Sequence, residues 1–172
     1  MTPTPTISLS GIISNALMTA TSSASIWTYA WTVSSSVSST TVTVAGFDLA
    51  GNAYAGTESI TFTIDNTAPT IINTDSSDDD DYVKGGATVK LSVTFSEAVI
   101  TPTITIGSDV SNASMTVSAS TNSTTWYYDW AVPTGVDGTY VATVSTTDLI
   151  GNAYSGTDSV TLTVDNTDPE IS

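Results

Sequence analysis

The sequence predicts an all-β chain of tandem β-sandwich units, and three observations carry that prediction. First, a 24-residue stretch occurs twice: residues 48–71 read DLAGNAYAGTESITFTIDNTAPTI and residues 148–171 read DLIGNAYSGTDSVTLTVDNTDPEI, 100 positions apart and identical at 16 places. Second, apolar residues alternate with polar ones in short runs, and no useful length carries a helical period. Third, Thr (34) and Ser (26) make up 60 of the 172 residues, a composition that suits strands with one solvated face.

The repetition extends upstream of the long match. Trp27-Thr-Tyr-Ala-Trp31-Thr-Val33 aligns with Trp126-Tyr-Tyr-Asp-Trp130-Ala-Val132 at an offset of 99, and Pro5-Thr-Ile7 with Pro102-Thr-Ile104 at 97. The unit is therefore about 100 residues long, the size of a sandwich module. Residues 70–165 hold one whole repeat. Residues 1–65 match only its later part, 66–69 form a short linker, and 166–172 begin a third copy. The chain reads as a window on a longer array with Met1 inside a repeat. No signal peptide is expected at its start, where neither a basic nor an apolar run occurs.

Within the whole repeat seven strands are expected, in order. Residues 70–73 form a short strand A. Residues 87–96 form B, with Val89, Leu91, Val93 and Phe95 on one face. Residues 101–107 form C, carrying Ile104 and Ile106. Residues 113–120 form D, with Met115, Val117 and Ala119 turned one way. Residues 126–132 form E, with Trp126, Tyr128, Trp130 and Val132 inward. Residues 139–145 form F and 157–164 form G, with Val160, Leu162 and Val164 inward. Gly85-Gly86, Gly107-Ser108-Asp109, Pro133-Thr134-Gly135 and Asp137-Gly138 separate them as turns. Seven short strands in this length indicate an immunoglobulin-like, Greek-key sandwich. Residues 1–65 carry only strands C to G. Their missing B would be interior to its sheet, so an open edge and exposed apolar surface are expected there, completed in one reading by strands from another chain.

Charge and absences narrow the chemistry. Asp plus Glu number 17 against 2 for Lys plus Arg, giving a net charge of −15, and the chain has no His, Cys or Arg. Neither a thiolate nor an imidazole site can be built, and two lysines cannot form a basic surface for nucleic acid. No run approaches the ~20 apolar residues of a membrane span, and the acidity disfavours anionic lipid surfaces. What remains is oxygen chemistry, which suits hard cations, calcium above all. No enzyme is expected.

The ordered set Phe95-Ser-Glu-Ala-Val99, then DLxGNxYxGT, then TxDNTxPxI resembles the bacterial immunoglobulin-like repeats of very large surface adhesins, over nearly the whole chain. The resemblance implies an extracellular, cell-surface stalk that holds a distal adhesive domain away from the cell, its partners being neighbouring repeats and its junctions stiffened by calcium.

Candidate ligands follow from residue type and position. Asp65-Asn66 and Asp165-Asn166 follow strand G directly, and either cap a polar turn or offer oxygen ligands between repeats. Asp48 with Asn52, and Asp148 with Asn152, lie in the F–G loops, where Gly51-Asn52 and Gly151-Asn152 also serve as turn residues. Glu97 ends strand B. Strand G ends at the pole opposite the F–G loop. The expected junction site is therefore Asp65 and Asn66 from one unit with Glu97, Asp148 and Asn152 from the next, holding calcium. Asp48, Asn52, Asp165 and Asn166 are half-sites without a neighbour. The run from Asp78 to Asp81 is either a solvated loop or a peripheral cation site. An alternative function is carbohydrate binding through an exposed aromatic, for which Tyr127, facing away from the core, is the candidate.

Overall fold

A computed structural model describes residues 3–23, 25–33, 37–119 and 121–171. It divides into two compact units, residues 1–66 and 67–172, and no helix occurs among the described residues.

In the second unit the strands are β7 (Ile71–Ser76), β8 (Tyr82–Val83), β9 (Thr88–Phe95), β10 (Thr103–Ile106), β11 (Val110–Ser114), β12 (Thr116–Val117), β13 (Thr125–Ala131), β14 (Gly138–Ser145) and β15 (Ser159–Val164), numbered after the six of the first unit described below. They form two sheets, β11-β10-β14-β15-β8 and β12-β13-β9-β7. Alternation decides which residues face inward. Val89, Leu91, Val93 and Phe95 on β9 are each at most 2% exposed, and Trp126 and Trp130 on β13 share their side. From the other sheet come Ile104 and Ile106 of β10, Ala142 of β14, and Leu162 and Val164 of β15, all in one cluster with them. Two sheets closing on one core make this unit a β-sandwich. Each fully buried aliphatic or Phe side chain contributes roughly 1.5–3 kcal/mol. The two indoles keep their N–H groups satisfied at the rim: Trp126 donates to the carbonyl of Ser123 at 3.0 Å and Trp130 to Asp109 Oδ2 at 2.7 Å.

Two expected strands differ from what is observed. The strand expected over 113–120 is two strands in different sheets. Val110–Ser114 pairs with β10, and Thr116–Val117 pairs with β13. The chain changes sheets at Met115, which is 4% exposed and donates its N–H to Pro102. Val117 is consequently 42% exposed rather than inward. Strand A also divides. After β7 the acidic run crosses to the other sheet, where Tyr82 and Val83 pair in parallel with Thr163 and Val164 of β15. A two-residue strand shows no alternation, so the sequence pattern is silent about it.

The first unit comprises β1 (Thr6–Leu9), β2 (Ile13–Leu17), β3 (Thr19–Ala20), β4 (Trp27–Thr28), β5 (Val37–Ala45) and β6 (Ser59–Ile64). Four strands form a sheet in the order β2-β1-β5-β6, which repeats β11-β10-β14-β15 of the second unit. Besides it, among the described residues, the unit holds the two-stranded β3-β4 ribbon. Counterparts of β7 and β9 do not occur among the described residues, and apolar side chains lie open as a result. Phe62 is 37% exposed where its counterpart Leu162 is 0%, and Tyr54 is 51% exposed.

Candidate functional site

The loop after β14 is organised around one carboxylate. Asp148 Oδ1 accepts the backbone N–H groups of Ile150, Gly151 and Asn152 at 2.9, 2.7 and 2.8 Å, and Oδ2 accepts the side-chain amide of Asn152 at 2.6 Å. Gly151 takes a φ of 105°, which a side chain would strain. The sequence placed Gly-Asn here as a turn pair; the structure adds that Asp148 is the residue that closes the turn. Asp148 is 2% exposed. Burial pushes its pKa up, but the bonds from Asn152, Ile150 and Gly151 outweigh that and hold it below the ordinary carboxylate value, so it remains an anion at neutral pH.

Glu97 reaches the same pole from another element. The chain leaves β9, and Ser96 donates its N–H to Thr70 at 2.8 Å while its Oγ accepts the N–H of Thr70 at 3.0 Å. Val99 then bridges to Asp148. Glu97 is thereby held at a corner, and one of its carboxylate oxygens lies within 4.8 Å of one from Asp148. Of the five expected junction ligands, Glu97, Asp148 and Asn152 thus gather at one pole of the second unit. Asp65 and Asn66 belong to the first unit, directly after β6.

The same loop recurs in the first unit. Asp48 Oδ1 accepts the N–H groups of Ala50 and Asn52 at 2.9 and 2.8 Å, and Oδ2 accepts the Asn52 amide at 2.8 Å. The side-chain and backbone bonds from Asn52 hold the Asp48 pKa down. Asp48 is exposed, unlike its twin.

The opposite pole of the second unit holds an arrangement absent from the sequence expectation. Asp137 Oδ1 accepts the backbone N–H of Asn166 at 2.7 Å and its amide at 3.1 Å, and Oδ2 accepts the Thr167 hydroxyl at 2.8 Å. Asn166 Oδ1 in turn accepts the N–H of Gly85 at 2.9 Å. A Cβ at Gly85 would stand 2.3 Å from that oxygen, so only glycine fits. Bonds from Thr167 and Asn166 hold Asp137 below its ordinary pKa. Asn166, expected as a half-site ligand, uses its side chain to clamp the end of β15. Its neighbour Asp165 accepts the N–H of Thr167 at 2.9 Å. The sequence signal for Asp137 was only an Asp-Gly turn; its partner lies 29 residues away.

The acidic run forms the crossover between β7 and β8, beside a cleft of about 440 Å³ lined by Asp75, Asp78, Asp79 and Asp81 among others. Within it Asp80 accepts the N–H of Tyr82 at 3.0 Å, which holds its pKa down, while contact with Asp80 raises that of Asp78. At Tyr127, the candidate exposed aromatic, Lys90 Nζ stands 3.6 Å from the ring centroid and 2.6 Å from Asp129. The chain matches no protein-family model and no curated protein.

Proposed function

We propose that the chain is a spacer segment of a repetitive extracellular adhesin, built from bacterial immunoglobulin-like repeats and rigidified by calcium at the repeat junction. The observation that carries the reading is the pair formed by Glu97 and Asp148, two carboxylates within 4.8 Å at the pole where the chain enters the second unit. Like charges drawn this close in a partly buried place are costly without a cation. Of the two lysines in the chain, Lys90 pairs with Asp129 on the sheet face.

The donor set fits a hard divalent ion: carboxylate oxygens of Glu97 and Asp148, with the Asn152 amide beside them. Asp65 and Asn66 are the ligands proposed from the preceding unit. Bound calcium would supply charge neutralisation and tie the linker to the pole. The repeated strand order of the two units and the absence of His, Cys and Arg support a structural role over a catalytic one.

The test is calorimetric titration of the whole chain with calcium, alongside melting in calcium and in sodium of equal ionic strength. A Kd on the order of 10⁻⁴ to 10⁻³ M is expected, as for other extracellular modules. At a Kd of about 1 mM, 10 mM calcium adds about 1.4 kcal/mol to stability. Glu97→Gln, which keeps the side-chain volume, should weaken binding at least tenfold and leave the chelator-treated protein folded. Wild-type affinity in that variant, or equal shifts by sodium and calcium, would sink the proposal.

A further inference from the structure

Beyond β15 the chain is gripped for three residues and then released. Asp165 accepts the N–H of Thr167 at 2.9 Å, and the Thr167 hydroxyl donates to Asp137 Oδ2 at 2.8 Å. Asn166 lies between Asp137 and Gly85, bonded to both. Asp168 and Pro169 come next, and both are exposed. Among the described residues nothing bonds to the Asp168 carboxylate. Of the six prolines in the chain, Pro169 alone follows an acidic residue. The same place in the first copy of the repeat reads Ala68-Pro69.

We propose that Asp168–Pro169 is an acid-scissile bond, cut by the chain's own carboxyl group. A carboxyl oxygen of Asp168 attacks the backbone carbonyl carbon of the same residue. The new O–C bond closes a five-membered cyclic anhydride, and the C–N bond to Pro169 breaks. The carboxyl proton passes to the departing proline nitrogen, which leaves as a secondary amine. Water then opens the anhydride, restoring the Asp168 side chain and leaving a free α-carboxyl group. Two features select this bond. Proline has no N–H, so no backbone hydrogen bond holds the leaving nitrogen in place. The attacking carboxyl is unengaged, whereas other candidates are tied. Asp137, in the chain's only Asp-Gly pair, holds Asn166 and Thr167. Asp148 holds three backbone N–H groups and the Asn152 amide. The cut falls outside every strand and beyond the grip of Asp137, so the second unit keeps its fold while the chain after Asp168 is released. The junction at Ala68–Pro69 has no carboxyl to attack with and stays whole. This chemistry does not rest on the calcium reading, which concerns the other pole of the unit.

The experiment holds the full 172-residue chain in chelator at pH 4 and pH 7 and follows intact mass over days, with a peptide of residues 164–172 as the clock. One cut is expected, giving residues 1–168 and the tetrapeptide 169–172, at least tenfold faster at pH 4 than at pH 7. Asp168→Glu keeps the acid but requires a six-membered ring, and should slow the cut at least tenfold. Ala68→Asp should add a second cut, after residue 68. Hydrogen exchange at pH 4 should show β14 and β15 equally protected before and after the cut. Four results overturn the proposal: no 1–168 product by the time the peptide is half cut, an earlier cut at another Asp, an Asp168→Glu chain cut at the unaltered rate, or cutting only after β14 and β15 have lost protection.

Discussion

Leu162 and Phe62 occupy the same place in the repeat, and their truncations should differ in cost. Leu162 is 0% exposed and sits in a closed core with Val83, Val93 and Ile104. Leu162→Ala removes buried methyl groups and leaves a cavity, so about 3 kcal/mol is expected. For a unit of this size that lowers its melting temperature by about 15 °C. Phe62 is 37% exposed on a sheet without the opposing strands, its ring meeting Trp31 at 6.5 Å. Part of its transfer energy is never gained, and solvent fills the space it leaves, so Phe62→Ala should cost about 1 kcal/mol despite the larger side chain. Two units need not melt together, so a single transition midpoint is not enough. Hydrogen exchange in graded denaturant, read peptide by peptide, reports each unit's opening energy. In the unaltered chain the slowest amides of 67–172 should outlast those of 1–66. A cost below about 1 kcal/mol for Leu162→Ala, or an equal cost for both variants, would refute the contrast between a closed and an open sandwich.

The other predictions concern charge. Asp48, Asp137 and Asp148 all have lowered pKa values. The unfolded chain therefore takes up protons first, and their contribution to stability is complete above about pH 4 and lost as pH falls through the folded values. Denaturation at pH 5 and pH 3 should show that loss, and Asp137→Ala should flatten the acid limb while freeing the backbone amide of Asn166 to exchange. Lys90 and Asp129 form an ion pair about half exposed on each side, with Lys90 also over Tyr127. Lys90→Ala should cost no more than about 1 kcal/mol, and less at high salt; a cost of about 3 kcal/mol would show the pair to be far better shielded than its exposure indicates.

The sequence by itself determined the strand class, the repeat and most of the core. Period-two alternation fixes which side of β9 and β13 faces inward, whatever the strands pair with, so Val89 to Phe95 and Trp126 to Trp130 were legible in advance. The repeat, aligned on Asp48 and Asp148, also placed the two F–G loops. Tertiary structure decided the matters that depend on distant partners. Whether the chain around Met115 stays in one sheet or changes sheets depends on which edges, β10 and β13, receive it. The parallel pairing of Tyr82 and Val83 with β15 likewise has no local period to announce it. Asn166 looked like a ligand because its side chain offers an oxygen; only the approach of Gly85 and Asp137 shows where that oxygen and the amide beside it are used. Alternation is a local property of the backbone, and hydrogen bonds across dozens of residues are set by the packing of the sheets.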